Sequence, residues 1–390
     1  MSLTGWMSTL AVVVAAAACG GGGGDNGGDA AAPAQPGGGA SAPVIQTLSS
    51  GLDRPWGIAQ LPDGRLLVTQ KGGSIVRLSA AGAKEATLSG VPQVLDSGQG
   101  GLLGIALDPD FASAGGNWVY FSYSEPGTGA EAGKAGTSVA RGRLQGDALT
   151  EVQVIFRQSP KVDSPGHYGS RLVFARDKTL YITTGERMKG SPSQDLQQTL
   201  GKVIRVNRDG SVPADNPRFA AGAKPGIWSY GHRNIQGAAL HPTTGELWIT
   251  EHGPQGGDEV NIARAGQNYG WPVKSYGCPY GSPVGDACRI GGGTHAPDYI
   301  EPLTTWTPIS IAPAGLIFYT GDLFPEWRGQ LISGSLAGMA LWRITVNGDT
   351  VTGKEKMFGD LGERFRDVIQ ARDGSLLTVT DGGKLMRVSR

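Results

Sequence analysis

A unit of two short apolar strands, marked by a Gly-, Asp- or Pro-rich turn and often an arginine on the second strand, recurs six times along the chain. It reads LPDGRLLVTQKGGSIVRL from Leu61, GNWVYFSYS…TSVARGRL from Gly116 and DKTLYITTGE…GKVIRVNRDG from Asp177. It returns as GELWITEHG…DEVNIAR from Gly245, RGQLISGS…MALWRITVNG from Arg328 and DGSLLTVTDGGKLMRVS from Asp373. The copies lie roughly 45 to 85 residues apart, within or above the range of propeller blades. One copy is too small to bury both faces of its own sheet, and open strand edges invite aggregation. Radial packing around an axis solves both problems. The pattern therefore predicts an all-β chain, a six-bladed β-propeller over residues 44–390, with a pair of β-sandwiches as the structural alternative. The last copy offers strands at Asp367–Gln370, Leu376–Thr380 and Leu385–Val388, and Val44–Leu48 is available as a fourth that closes the ring. Residues 272–312, dense in Gly, Pro and Tyr, are too long for a blade turn and predict an elaborated loop over one face.

Composition agrees with this reading. Gly accounts for 64 of 390 residues, 39% are apolar and only 17% are charged, so most of the chain can fold and tight turns are abundant. A net charge of +0 gives no electrostatic reason to expect nucleic acid or a polybasic membrane contact.

The apolar run Leu10–Ala18 is nine residues long, too short to span a bilayer and suited to the core of an export signal. No Lys or Arg precedes it. It ends in Ala16-Ala17-Ala18-Cys19, which resembles the cleavage box of bacterial lipoproteins; the other reading is an ordinary Ala-rich cleavage site. The first predicts residues 1–19 as a signal, a lipid on Cys19 as the sole membrane contact, and an exported, periplasmic, tethered protein. Residues 20–43 predict a flexible tether spanning roughly 25–30 Å. Cys278 and Cys288 then remain for one disulfide, or as two free thiols in the long loop.

Candidate chemistry concentrates in residues 226–272. Alternation at Leu247 and Ile249, then Val260 and Ile262, predicts two strands, with Arg233, Asn234, Gly253, Pro254, Asp258, Glu259 and Tyr269 on the connecting loops. The turn Gly253-Pro254-Gln255-Gly256-Gly257-Asp258-Glu259 offers carbonyls and carboxylates, hard oxygen ligands that suit Ca²⁺ better than Zn²⁺; a turn with solvated acids is the plainer reading. Elsewhere, Gln99, His167, Arg364 and Arg366 come from other repeats. A period of two sends Arg364 and Arg366 to one side of a strand, where two guanidiniums repel unless a carboxylate or phosphate lies between them. His167, in a Gly-flanked loop, is a candidate general base, although a lone loop histidine is more often structural.

Together GQGGLLGIALDPDF, RLVF, GKVIRVNRDGSVPADNP, IWSYGHRN, EHGPQGGDEVNI, NYGWP and RFRDVI resemble the soluble quinoprotein sugar dehydrogenases of the glucose/sorbosone type, from about residue 51 onward. The resemblance implies a six-bladed propeller holding pyrroloquinoline quinone (PQQ) and Ca²⁺ at one end of its axis. It implies His167 as catalytic base, Arg233 beside it in catalysis, and Gln99, His167, Arg233, Asn234, Ser310, Arg364 and Arg366 as PQQ contacts. The carbonyls of Gly253 and Pro254 would ligate the cofactor's Ca²⁺, and Glu259 and Tyr269 a second, structural Ca²⁺. The reaction implied is oxidation of an aldose at its anomeric carbon to a lactone, with an external electron acceptor. Three positions depart from the family pattern: Ala337 stands where a PQQ-pairing lysine is expected, Gly166 where glucose-oxidising members carry Asp, and Ile235 where a proline is usual. A propeller lactonase and a non-catalytic glycan- or protein-binding propeller are the rival readings.

Overall fold

The computed structural model describes residues 41–113 and 115–390, so the signal, Cys19 and nearly all of the tether lie outside the described residues. Twenty-four strands form six four-stranded sheets. Each sheet is a meander, its strands pairing antiparallel in chain order. Blades I to V run Pro55–Leu88, Leu102–Arg157, Leu172–Tyr230, Ile235–Trp306 and Pro313–Met357. Blade VI takes Phe365–Ser389 and completes itself with Val44–Ser49, which pairs Val44 with Ser389 and Ile45 with Val388. The sandwich alternative is thereby set aside.

The six repeats correspond to the two middle strands of each blade. Those strands are buried on both faces, and their alternate residues serve two different seams. In Leu66–Gln70, Leu66 and Val68 pack against blade VI residues Leu377 and Val379, whereas Leu67 packs against Leu102 and Phe121 of blade II. Equivalent clusters fill the other four seams. Leu67 is fully buried. We expect Leu67→Ala to destabilise the domain by about 2–5 kcal/mol, measurable by denaturant unfolding; a loss below about 1 kcal/mol would show that the seam collapses around the gap.

Innermost strands crowd the axis. A Cβ on Gly104 would sit 2.2 Å from the Ser170 carbonyl, and one on Gly315 would sit 2.2 Å from the Asp367 carboxylate. All six innermost strands line a cavity of about 110 Å³. Its lining includes an ion pair, Arg171 to Asp367 at 2.7 Å. Arg171 also donates to the Gln236 and Arg366 carbonyls and stacks on Trp56.

The long insertion joins the third and fourth strands of blade IV. Its Cys278 and Cys288 form a disulfide with Cα atoms 5.1 Å apart, and Tyr280 reaches Arg233 at the axial end. Among the described residues, no helix is long and apolar enough to cross a membrane.

Candidate active site

Every candidate site residue lies at the end of the propeller where the innermost strands begin. His167 occupies the loop before Leu172, Arg233 and Asn234 precede Ile235, Ser310 precedes Pro313, and Arg364 and Arg366 flank Phe365. The Gly253-Pro254 turn joins the two middle strands of blade IV at the same end.

His167 is held on three sides. Its backbone N–H donates to Gln99 Oε1 at 2.8 Å, its carbonyl accepts from the Arg187 N–H, and Nδ1 lies 2.7 Å from Glu186 Oε1. Its φ of 53° is left-handed backbone that a non-glycine residue adopts only where its surroundings enforce it. Glu186 is 1% exposed, and its other oxygen accepts from the N–H groups of Lys189 and Gly190. Burial alone would raise the Glu186 carboxyl; hydrogen bonding from His167, those N–H groups and the Arg233 charge bring it below the usual range. An ionised Glu186 accepts only, so the His167 proton resides on Nδ1 and Nε2 keeps its lone pair. Burial, and then the Arg233 charge, lower the His167 pKa against the opposing pull of Glu186. The imidazole is therefore neutral, and able to accept a proton, at neutral pH. In the sequence Glu186 is only the closing residue of DKTLYITTGE, 19 positions from His167, with nothing to tie it to the histidine.

Arg233 is buried and donates to the His252 carbonyl at 3.0 Å and to Tyr280 Oη at 3.1 Å. Asn234 is fully buried, with Oδ1 accepting from Gly169 N–H at 3.0 Å. Two donors here have no protein partner: Arg233 Nε and Asn234 Nδ2. A buried donor left unpaired costs about 1–3 kcal/mol, so both are open to a polar partner that the chain does not supply.

The structure changes four details of the sequence expectation. The anion between Arg364 and Arg366 is internal: Asp381 accepts from Arg364 Nε at 2.9 Å and from Arg366 Nε at 2.8 Å, leaving two cations to one carboxylate. Asp258 and Glu259 are the first residues of a strand, Asp258–Ile262, and not loop residues. The Asp258 carboxylate is consumed by backbone, accepting from Gly253, Ile311 and Ala312 N–H groups; burial pushes its pKa up to about 6. It thus clamps the 253–257 turn instead of offering an open ligand. Finally, the Tyr269 phenol donates to the Ile262 carbonyl and accepts from Arg264 N–H, so any cation contact from Tyr269 comes from its backbone. Ser310 reinforces the clamp, its Oγ donating to the Pro254 carbonyl and accepting from Gly256 N–H.

Beside this turn is a cavity of about 10 Å³, whose lining includes Glu251, Glu259, Tyr269 and His295, the scale of one small occupant. Glu259 is held well above its ordinary pKa by burial and by the charge of Glu251, while His295 Nε2 and Asn261 Oδ1 lack partners. Two buried carboxylates and orphaned acceptors around so small a space suit a cation.

The fold and this end of it define a propeller enzyme in which a histidine–carboxylate pair stands beside a cationic, amide-bearing pocket. Comparison with known proteins identifies it further. The Glucose / Sorbosone dehydrogenase family model matches residues 52–387, and the chain belongs to that family: it is an oxidoreductase, a sugar dehydrogenase. It is 42% identical over 353 residues to aldose sugar dehydrogenase YliI of Escherichia coli strain K12, covering 88% of this chain and 92% of that protein. Among solved structures it resembles a glucose dehydrogenase (43% identity, TM-score 0.83, 89% of this chain and 99% of that one). It also resembles the PQQ-bound form of aldose sugar dehydrogenase from Streptomyces coelicolor (30% identity, TM-score 0.72, 89% and 98% coverage).

Proposed function

We propose that the enzyme oxidises aldoses at the anomeric carbon to lactones, with PQQ as cofactor and His167 as general base. The observation that carries this reading is the pair of unpartnered buried donors, Arg233 Nε and Asn234 Nδ2, set among His167, Arg364 and Arg366. Such a pocket suits a flat polyanion rich in carboxylates and carbonyls, and the Streptomyces relative is solved with PQQ.

PQQ, when bound, supplies the quinone that accepts a hydride from the sugar. The chain supplies the rest. His167 Nε2 removes the proton of the anomeric hydroxyl, and Glu186 stabilises the imidazolium that results. Arg233 contributes positive charge where negative charge develops. Arg364, Arg366, Gln99, Asn234 and Ser310 hold and orient the cofactor. The carbonyls of Gly253 and Pro254 hold its Ca²⁺, while Glu259 and the Tyr269 backbone hold a second Ca²⁺ in the small cavity. An external acceptor removes the two electrons. Export, and a lipid on Cys19, belong to the same reading.

Dye reduction by aldoses, using apo-protein reconstituted with PQQ and Ca²⁺, tests the function. Turnover that requires PQQ supports it; PQQ-independent lactone hydrolysis, or sugar binding without turnover, overturns it. The second Ca²⁺ has its own test. Calcium is expected to raise the apo-protein's melting temperature by several degrees, as any ligand of the native state does, and Glu259→Gln to abolish most of that rise. An equal rise in the variant would remove Glu259 from the site.

A further inference from the structure

Beside the pocket of Arg233, Arg364 and Arg366 stands one more positive group. Lys71 follows the strand Leu66–Gln70 in blade I, and its backbone is pinned: its N–H donates to the Arg54 carbonyl and its own carbonyl accepts from Leu102 N–H. A Cβ on Gly101 would lie 2.4 Å from that carbonyl, so the glycine lets the Gln99 loop press against Lys71. The side chain is half-buried, and Nζ donates to the Gly98 carbonyl at 2.7 Å. The next residue, Gln99, bonds the His167 backbone.

Charge is out of balance here. Arg54 takes Asp96 with two hydrogen bonds, at 2.9 and 2.6 Å, and Asp53 with another. Arg364 and Arg366 share Asp381. Arg54, Lys71, Arg364 and Arg366 thus face Asp53, Asp96 and Asp381, four cations to three carboxylates, and the one hydrogen-bond partner of the Lys71 ammonium among the described residues is a neutral carbonyl. Burial, followed by the charges of Arg366 and Arg54, disfavours that ammonium, while Asp96 and Asp381 favour it. Half-burying a cation whose hydrogen-bond partner is a neutral carbonyl is unfavourable unless an anion completes the cluster.

We propose that Lys71 is a cofactor-binding residue, a fourth cation beside Arg233, Arg364 and Arg366, engaging an acidic group of the quinone; the proposal rests on the PQQ reading above. It accounts for Ala337 as well. Leu336, its neighbour, accepts from Arg364 Nη1 at 3.1 Å, so the methyl of Ala337 stands on the blade V side of the arginine pair while Lys71 stands on the blade I side. The cation absent at Ala337 is thereby supplied from the opposite flank.

The test is titration of the Ca²⁺-loaded apo-protein with PQQ, followed by quinone absorbance. Lys71→Met is expected to weaken binding by on the order of tenfold to a hundredfold, Lys71→Arg to stay near wild type, and Ala337→Lys added to Lys71→Met to restore much of the loss. The affinity of Lys71→Met should also depend less on salt. If Lys71→Met melts below the wild-type apo-protein, Lys71→Gln carries the comparison. Wild-type affinity in a folded Lys71 variant overturns the assignment and leaves the PQQ reading standing. Failure of the wild type to bind PQQ overturns both.

Discussion

Replacing His167 with alanine is expected to cut sugar turnover by roughly 10²–10⁴-fold while PQQ affinity stays within a few-fold of wild type. The first part follows from the lone pair on Nε2, which Glu186 secures by holding the proton on Nδ1. The second follows because Arg233, Asn234, Arg364 and Arg366 are anchored by contacts that do not pass through the imidazole. The backbone at position 167 is left-handed, so alanine could shift the loop as well as remove the base. Asparagine tolerates that conformation better, and His167→Asn should therefore lose turnover equally with less effect on melting. Near-normal turnover in either variant would falsify the assignment.

Glu186→Gln is expected to reduce kcat/KM by a comparable 10²–10⁴-fold. The glutamine amide can donate to Nδ1, which moves the imidazole proton to Nε2 and removes the acceptor. The pH dependence separates this from a structural role. In the wild type, burial places the His167 pKa below 6.5, so kcat/KM should stay level through neutral pH and fall only as His167 is protonated on the acid side. Glu186 is the group that raises that pKa, so its neutralisation should shift the acid limb lower still. A variant that merely melts earlier, with the acid limb unmoved, would assign Glu186 to holding Lys189 and Gly190 alone.

The sequence made the middle strands visible and hid their neighbours. Leu66–Gln70 and Ser74–Leu78 show themselves because both faces are buried and a tight turn joins them. Innermost strands carry glycines such as Gly104 and Gly315 where the axis leaves no space for a side chain, and outermost strands such as Lys84–Leu88 are largely exposed, so neither repeats a recognisable pattern. Closure by Val44–Ser49 was legible only because the last copy lacked a partner strand. At the site, loops with unusual residues announced His167 and the arginines. Glu186 and Asp381 stayed hidden because their roles arise from packing between segments 19 and 15 residues apart. Asp258 looked like an open acid because sequence cannot show three backbone N–H groups converging on it.

The register of that closing strand also fixes where the propeller begins. Val44 sits against Ser389, at the far end of a strand whose leading turn carries Asp381 beside the arginines. Residue 44 consequently lies at the pole remote from the candidate site, so the strand that closes the ring adds nothing to the pocket and leaves its chemistry to the opposite loops.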